Sequence, residues 1–359
     1  MGGLYVHIPF CKKRCLYCDF FSTTLLERRK EYVEAMLKEI AERKNEVEEI
    51  KTIYLGGGTP STLEVADIRR ILEAVGTDQA EEITMELNPG DATQEYLRAI
   101  QEAGINRLSI GIQSFQDKLL TLIGRRHNAK QAIEAVKMAQ EAGFDNISID
   151  LMYALPSQSM AQWKADIETA LELKVQHISC YGLMYEEGTV ITKRVEAGEL
   201  TAIDEDEENA MYDYLCEQLK EAGFVHYEVS NYALPGYEAK HNSRYWDGTP
   251  YVGIGAGAHS YVGNVRSWNP DDLEAYIKGV TGYGLQVTRE SETLSDTDRY
   301  NERIMLGLRT NKGVERGAIK KDVKAHIEAG LLQETEDGHI AATQQGLHIL
   351  NRIIEDLMI

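Results

Sequence analysis

The stretch Leu4-Tyr5-Val6-His7-Ile8-Pro9-Phe10-Cys11-Lys12-Lys13-Arg14-Cys15-Leu16-Tyr17-Cys18 decides the fold. Leu4 to Ile8 is an apolar run that reads as a buried strand. Three cysteines follow with gaps of three and two residues, so their thiols share one loop at the C-terminal end of that strand. Three thiolates in one short loop can converge on a single metal centre. They leave one coordination position to something other than protein.

Outward from this loop, short strand-like runs recur, each followed by a helical pattern. The strands are Leu4–Ile8, Thr52–Leu55, Ile83–Leu87, Arg107–Ile112, Asn146–Met152 and His177–Leu183. Arg28–Val47, Ala66–Ala74, Gln94–Ala103, Lys130–Ala142 and Ala161–Leu173 carry apolar residues three or four apart and are helices. Several close with Ala-Gly, as at Gly104 and Gly143, which suits a left-handed stop. Strand–helix alternation implies parallel strands joined by right-handed crossovers. Six units predict an α/β fold with a partial (β/α)6 TIM-like barrel, two units short of the full eight. An open doubly wound sheet is the alternative.

After Gly188 the pattern changes. Asp204-Glu205-Asp206-Glu207-Glu208 opens a helix reaching Ala222, where acidic residues complement the helix dipole; it reads as a solvated helix start rather than a metal site. Gly223–Asn269 is rich in Gly, Tyr and Asn and predicts hairpins and ordered loops. From Ser291 to Ile359 a smaller, mostly helical, winged-helix-like domain is expected. Its parts are helices at Asn301–Leu308, Lys320–Ala329 and Gln344–Leu357, and a short hairpin at Leu331–Ala342. The expected divisions are 1–222 for the barrel, 223–290 for the connection and 291–359 for the C-terminal domain.

Composition narrows the function. A 359-residue chain with 43% hydrophobic and 27% charged residues is ordinary for a globular protein. A formal net charge of -20 argues against nucleic-acid binding, which needs a basic surface. No apolar run approaches the roughly 18–20 residues that span a bilayer, and no secretory signal is apparent. Five cysteines, three of them within eight residues, make a poor disulfide framework. The expected compartment is the cytoplasm.

The Cys loop admits a zinc site of Cys11, Cys15, Cys18 and His7, or a redox pair at Cys15 and Cys18 that leaves Cys11 unexplained. Three Cys without a nearby fourth instead suit a 4Fe–4S cluster with one iron free of protein ligand. Gly56-Gly57-Gly58-Thr59-Pro60 ends the second strand, either as a plain tight turn or as backbone that a ligand approaches closely. Gly253-Ile254-Gly255-Ala256-Gly257-Ala258 fits the dinucleotide-binding pattern. It is followed by His259-Ser260-Tyr261 rather than an amphipathic helix, so a Rossmann site is rejected. Cys180, inside a strand, and Cys216, inside a helix, read as buried core thiols.

The run Tyr5–Cys11, the C-x3-C-x2-C spacing and the aromatic Tyr17 before the last Cys closely resemble the radical S-adenosylmethionine (radical SAM) superfamily. More narrowly they resemble its coproporphyrinogen dehydrogenase-like branch, over almost the whole chain. The resemblance implies a 4Fe–4S cluster on Cys11, Cys15 and Cys18, whose open iron binds S-adenosylmethionine (SAM). It further implies that Tyr5, Tyr17, Gly57, Gly58, Thr59, Glu86, Gln113, Arg125 and Asp150 bind the cofactors. Arg125 would lie in a helical segment and hold a carboxylate, and Asp150 would accept from ribose hydroxyls.

His241-Asn242-Ser243-Arg244-Tyr245-Trp246 carries a histidine among aromatics. Imidazole is a standard axial ligand of haem iron and aromatics give a porphyrin a flat apolar surface, although a lone His in such company is more often structural. The string resembles the HNxxYW motif of a haem-chaperone subgroup of the branch, which implies haem as cargo bound through His241. His259 is an alternative ligand and Trp268 a pocket wall. The dehydrogenases of the branch carry a further Cys two residues after the triad, where this chain has Phe20, and an N-terminal extension that is missing here. The expected function is therefore delivery of haem to haem-requiring apoproteins, by resemblance respiratory or haem-storage proteins, with cluster and SAM supporting transfer. Oxygen-independent oxidative decarboxylation of coproporphyrinogen III is the alternative.

Overall fold

The computed structural model describes residues 1–281 and 289–359. Six strands run parallel and pair in chain order: β1 (Gly2–Ile8), β2 (Ile50–Gly57), β3 (Glu82–Leu87), β4 (Arg107–Gln113), β5 (Ile147–Tyr153) and β6 (His177–Gly182). A doubly wound sheet would reverse direction partway through this order. The unbroken order, with right-handed crossovers, puts the connecting helices on one face and curls the sheet toward a barrel.

The two faces of the strands differ in chemistry. Leu4, Val6 and Ile8 of β1, Ile53 and Leu55 of β2, and Ile110 and Ile112 of β4 are sealed under the outer helices. The alternate residues, among them Tyr5, His7, Thr52, Tyr54, Glu86, Ser109 and Asp150, turn to the concave interior. The barrel is thus an oily shell around a polar lumen.

The strip does not close on itself. β6 pairs with β8 (Asn231–Ala233), itself paired with β7 (Val225–Glu228). On the other side β1 pairs with β9 (Tyr251–Ile254), followed outward by β10 (His259–Val262), β11 (Val265–Trp268) and β12 (Glu290–Thr293). The segment 223–290 therefore extends both edges of the sheet; residues 282–288 of it lie outside the described residues.

The chain between β8 and β9 crosses beneath the N-terminal end of the lumen. Its helix Lys240–Asp247 is anchored by Glu82 of β3, whose carboxylate accepts from the N–H groups of Lys240 (2.9 Å) and His241 (2.8 Å). The sequence suggests an ordered loop here. The carboxylate at the helix start supplies the cap that residues 239–247 lack.

The C-terminal domain has its own apolar core around Tyr300, Ile304, Ile340 and Ile353. A small sheet of β13 (Val314–Glu315), β14 (Leu332–Glu334) and β15 (His339–Ala342) packs with helices Asp296–Gly307, Lys324–Glu328, Gln344–Leu347 and Leu350–Leu357. The last helix, expected as one, is broken at His348. That ring turns to the helix Glu205–Glu221, bonding Asn209 Oδ1 at 3.0 Å and Asp213 Oδ1 at 2.9 Å. No helix among the described residues is long and apolar enough to cross a membrane.

Candidate functional site

The Cys loop leaves the top of β1 and is pinned at several points. The Cys11 N–H donates to Thr23 O, the Leu16 N–H to Ile123 O, and Leu16 O accepts from the Ile191 N–H, at 2.8 to 3.0 Å. Lys12 pairs with Asp91 at 2.6 Å, and Arg126 holds the other oxygen of that buried carboxylate at 2.8 Å. All five cysteines are free thiols. Cys11 is buried and Cys15 and Cys18 half-buried, and burial pushes the thiols of Cys11 and Cys18 up.

Cys11 Sγ lies 3.4 Å from Thr59 Oγ1, and Arg125 Nη1 lies 3.4 Å from Cys15 Sγ. Arg125 also donates to Gly111 O, while its buried Nε has no partner. It stands in the turn between the helices Asp117–Leu122 and Ala129–Glu141 rather than inside a helix. His7 is already engaged: Nε2 donates to Phe21 O and Nδ1 accepts from the Tyr5 hydroxyl, both at 3.0 Å. A zinc site completed by His7 would have to break both bonds. Three free thiols on one loop, with Cys15 beside a buried cation that has an unmet donor, fit the cluster better than zinc, although among the described residues no three such side chains stand close enough together to hold one metal ion as they are.

The glycine turn has an internal reason for its composition. A Cβ on Gly57, where φ is +107°, would lie 2.5 Å from the His7 ring, and one on Gly58 would lie 2.6 Å from the Pro9 carbonyl carbon. The close approach is of β2's end to β1's, which sets the turn against the Cys loop. The Gly57 N–H donates to Glu86 Oε2 at 3.1 Å, and the Tyr54 hydroxyl to Oε1 at 2.9 Å. Burial, reinforced by Asp150, pushes the Glu86 carboxyl up to about 7. Burial also raises Asp150, which accepts from Ser109 Oγ at 3.1 Å. Gln113 ends β4 at an irregularity in its pairing with β5, with φ of +72°. A non-glycine residue held there marks a position fixed by its surroundings.

The predicted cluster and SAM residues other than Tyr5 thus gather near the C-terminal ends of the strands, on the Cys loop and on the turn holding Arg125, whereas Tyr5 sits mid-strand in β1 opposite Tyr54. His241 does not join them. It lies in the layer of Gly3, Thr52 and Glu82, roughly 16 Å lower along the strands. The residue is 1% exposed, with Nδ1 bonded to Thr52 Oγ1 and Nε2 to the Tyr245 hydroxyl, each at 2.9 Å. Burial, aided by Arg244 and Arg107, holds its ring down at about 3, hence neutral. Neither nitrogen is open to a ligand in this arrangement.

What opens instead is a cleft of about 700 Å³ down the inner face of β1, lined among others by Tyr5, Phe20, Tyr245, Tyr251, His259 and Trp268. His259 is exposed and its ring stacks on Trp268 at 5.7 Å between centroids. Partial burial and nearby Arg266 keep it below the usual imidazole range. Gly253–Ala258 forms the β9–β10 turn, strand to strand, as the rejection of a dinucleotide site requires. Cys180 is buried, whereas Cys216 is half-buried with its sulfur 3.2 Å from the Tyr232 hydroxyl. Sequence reasoning missed Tyr54 and passed over Tyr245 as part of a motif. Strand alternation from Gly56 would have placed Tyr54 on the lumen face.

Residues 5–170 match the Radical SAM superfamily. A protein of Lactococcus lactis subsp. lactis named Heme chaperone HemW is 40% identical over 318 residues, covering 87% of this chain and 83% of its own. The Heme chaperone HemW of Bacillus subtilis is 34% identical over 373 residues, 98% of each chain. Among solved structures, coproporphyrinogen III oxidase (HemN) from Escherichia coli superposes with a TM-score of 0.83 over 99% of this chain and 89% of that one, at 22% identity. That likeness is one of fold.

Proposed function

The chain belongs to the family of the Heme chaperone HemW proteins, within the radical SAM superfamily, and from this membership we propose that it binds haem and hands it to apoproteins that require it. The observation that carries the reading is the full-length similarity to those relatives, 98% of both chains in the Bacillus subtilis case. The cleft supports it, since about 700 Å³ lies within the range of small-molecule pockets and its walls are aromatic. We assign His259 as the iron ligand and Trp268 as the wall beside it, because His259 is exposed to the cleft and stacks on Trp268. His241, expected from the motif, stands one side chain behind, shielded by Tyr245. The acceptors are haem-requiring apoproteins of the respiratory or storage class, and the compartment is the cytoplasm, where free thiols persist.

Membership in the superfamily implies a 4Fe–4S cluster and SAM. In this proposal Cys11, Cys15 and Cys18 hold the cluster, and Gly57, Gly58, Thr59, Glu86, Gln113, Arg125 and Asp150 line the SAM pocket, with Tyr5 and Tyr17 at its sides. When bound, the pair supplies one-electron chemistry. The residues' own work is to hold SAM by its charged groups and hydroxyls and to screen the cluster from water.

The test is a haem titration of anaerobically purified protein, followed by transfer to an apo-acceptor. Wild type is expected to give a saturable Soret shift, His259→Ala to bind at least about tenfold more weakly, and transfer to exceed a free-haem control. Absence of the shift overturns the reading. The second reading, coproporphyrinogen oxidation, draws on the HemN fold. Phe20 weighs against it, standing 71% exposed on the cleft rim where the dehydrogenases carry a further Cys. Formation of protoporphyrinogen with SAM and a reductant would restore it.

A further inference from the structure

Between the strand-end pocket and the aromatic cleft, the lumen is bridged by one continuous set of contacts. At the top, Glu86 takes the Gly57 N–H on one oxygen and the Tyr54 hydroxyl on the other. The Tyr54 ring lies on the His241 ring, 5.3 Å between centroids and tilted 30°. His241 in turn bonds the Tyr245 hydroxyl, and the Tyr245 ring packs edge-on to Tyr251 at 4.7 Å in the cleft wall.

The middle of this bridge is fixed. His241 is held through Thr52, which also accepts from Arg244 Nε at 3.0 Å, and its N–H is anchored on Glu82. There is no slack beside it: a Cβ on Gly3 would lie 3.1 Å from its Cε1. At its ends stand Tyr54, whose hydroxyl reaches Glu86, and Tyr245, whose hydroxyl holds His241 while its residue lines the cleft. A rigid ring held between two side chains that each reach a different site is a physical route for coupling those sites.

We propose that Tyr54, His241 and Tyr245 are positioning residues that couple the SAM pocket to the haem cleft, so that filling one tightens the other. This rests on the haem-binding reading above. With the pocket filled, a cationic ligand keeps the Glu86 carboxylate charged. A charged acceptor holds the Tyr54 hydroxyl more firmly than a neutral one. Tyr54 then stays seated on His241, and His241 keeps Tyr245 in place as a preformed wall. A preformed wall binds a flat ligand more tightly because less order is lost on binding. By linkage the effect is mutual: haem in the cleft tightens SAM by the same factor.

The experiment is a pair of titrations on cluster-reconstituted full-length protein, haem by its Soret band with and without SAM, and SAM by equilibrium dialysis with and without haem. Wild type is expected to show about five- to tenfold tightening, equal in both directions. Tyr54→Phe keeps the ring but loses the Glu86 bond, and Tyr245→Phe keeps the wall but loses the His241 bond; in each the ratio is expected to fall toward one. The readout is a ratio within each variant, so a change in its absolute affinities does not mimic the result. Wild type that binds both ligands with a ratio of one overturns the proposal, as does a full ratio in both variants. Failure of wild type to bind haem at all overturns the reading beneath it, and this proposal with it.

Discussion

Glu39 and Arg43 stand one turn apart on the helix Arg29–Arg43 and pair at 2.9 Å with side chains only 2% and 3% exposed. Arg43 reaches on to Gly253 O and Ser260 Oγ, and Glu39 accepts from the Gly255 N–H, Asn269 Nδ2 and the Tyr276 hydroxyl. An outer helix thereby grips the β9–β11 wall of the cleft. Arg43 keeps a second ion pair with Glu46 at 2.9 Å, but removing Glu39 leaves the buried donors of Gly255, Asn269 and Tyr276 without this acceptor, so Glu39→Ala is expected to cost about 3 kcal/mol in urea unfolding. A loss under about 1 kcal/mol would show that the pair does not hold the wall.

Gly57→Ala and Gly76→Ala form a controlled comparison. Both glycines have positive φ, +107° and +84°, but a Cβ on Gly57 meets the His7 ring whereas one on Gly76 meets nothing within 4 Å. The left-handed backbone alone costs about 1–2 kcal/mol, and overpacking adds about 1–3. Gly57→Ala is expected to be the more damaging by at least about 1 kcal/mol. Equal losses would mean that the His7 contact yields freely.

Glu228 is buried, with Oε1 unbonded, and burial lifts its carboxyl to about 7 against an ordinary 4.5. The folded state then binds more protons than the unfolded one between these values. Its contribution to stability is complete below about pH 4.5 and is lost as pH rises through about 7, by roughly 3 kcal/mol. Glu228→Gln removes that slope, so the variant should gain on wild type between pH 5 and pH 8 in denaturant midpoints. Glu86 gives a slope of the same sign that both proteins retain. A stability difference constant with pH would refute the assignment.

For the cluster, single Cys→Ser changes at 11, 15 and 18 are each expected to abolish the brown charge-transfer absorption and most bound iron after anaerobic reconstitution. Cys180→Ser and Cys216→Ser, on the sheet and an outer helix, should retain both. Iron retained by any of the first three variants removes that residue as a ligand.

The barrel was legible because its strands are short apolar runs and its helices keep an apolar stripe, both local patterns. All six parallel strands fall within two residues of the sequence reading at each end. That the predicted site residues share one edge was legible for a related reason: parallel strands in chain order deliver their C-terminal ends to the same side. His241 was legible as a motif and not as a location, because where residue 241 lies depends on Glu82 and Thr52, far away in sequence. Tyr54 was missed because alternation gives only the face it occupies, and the partner that gives it meaning, Glu86, lies on another strand.

The chain from β8 to β9 behaves as a tie-rod across an arch. One end is fixed to the sheet beyond β6 and the other beside β1, and its middle is fastened to β2 and β3 through Thr52 and Glu82. An arch tied at its feet cannot flatten or splay, so the curvature of the lumen is set from below. The mouth above, carrying the Cys loop, is left as the place where the arch can widen.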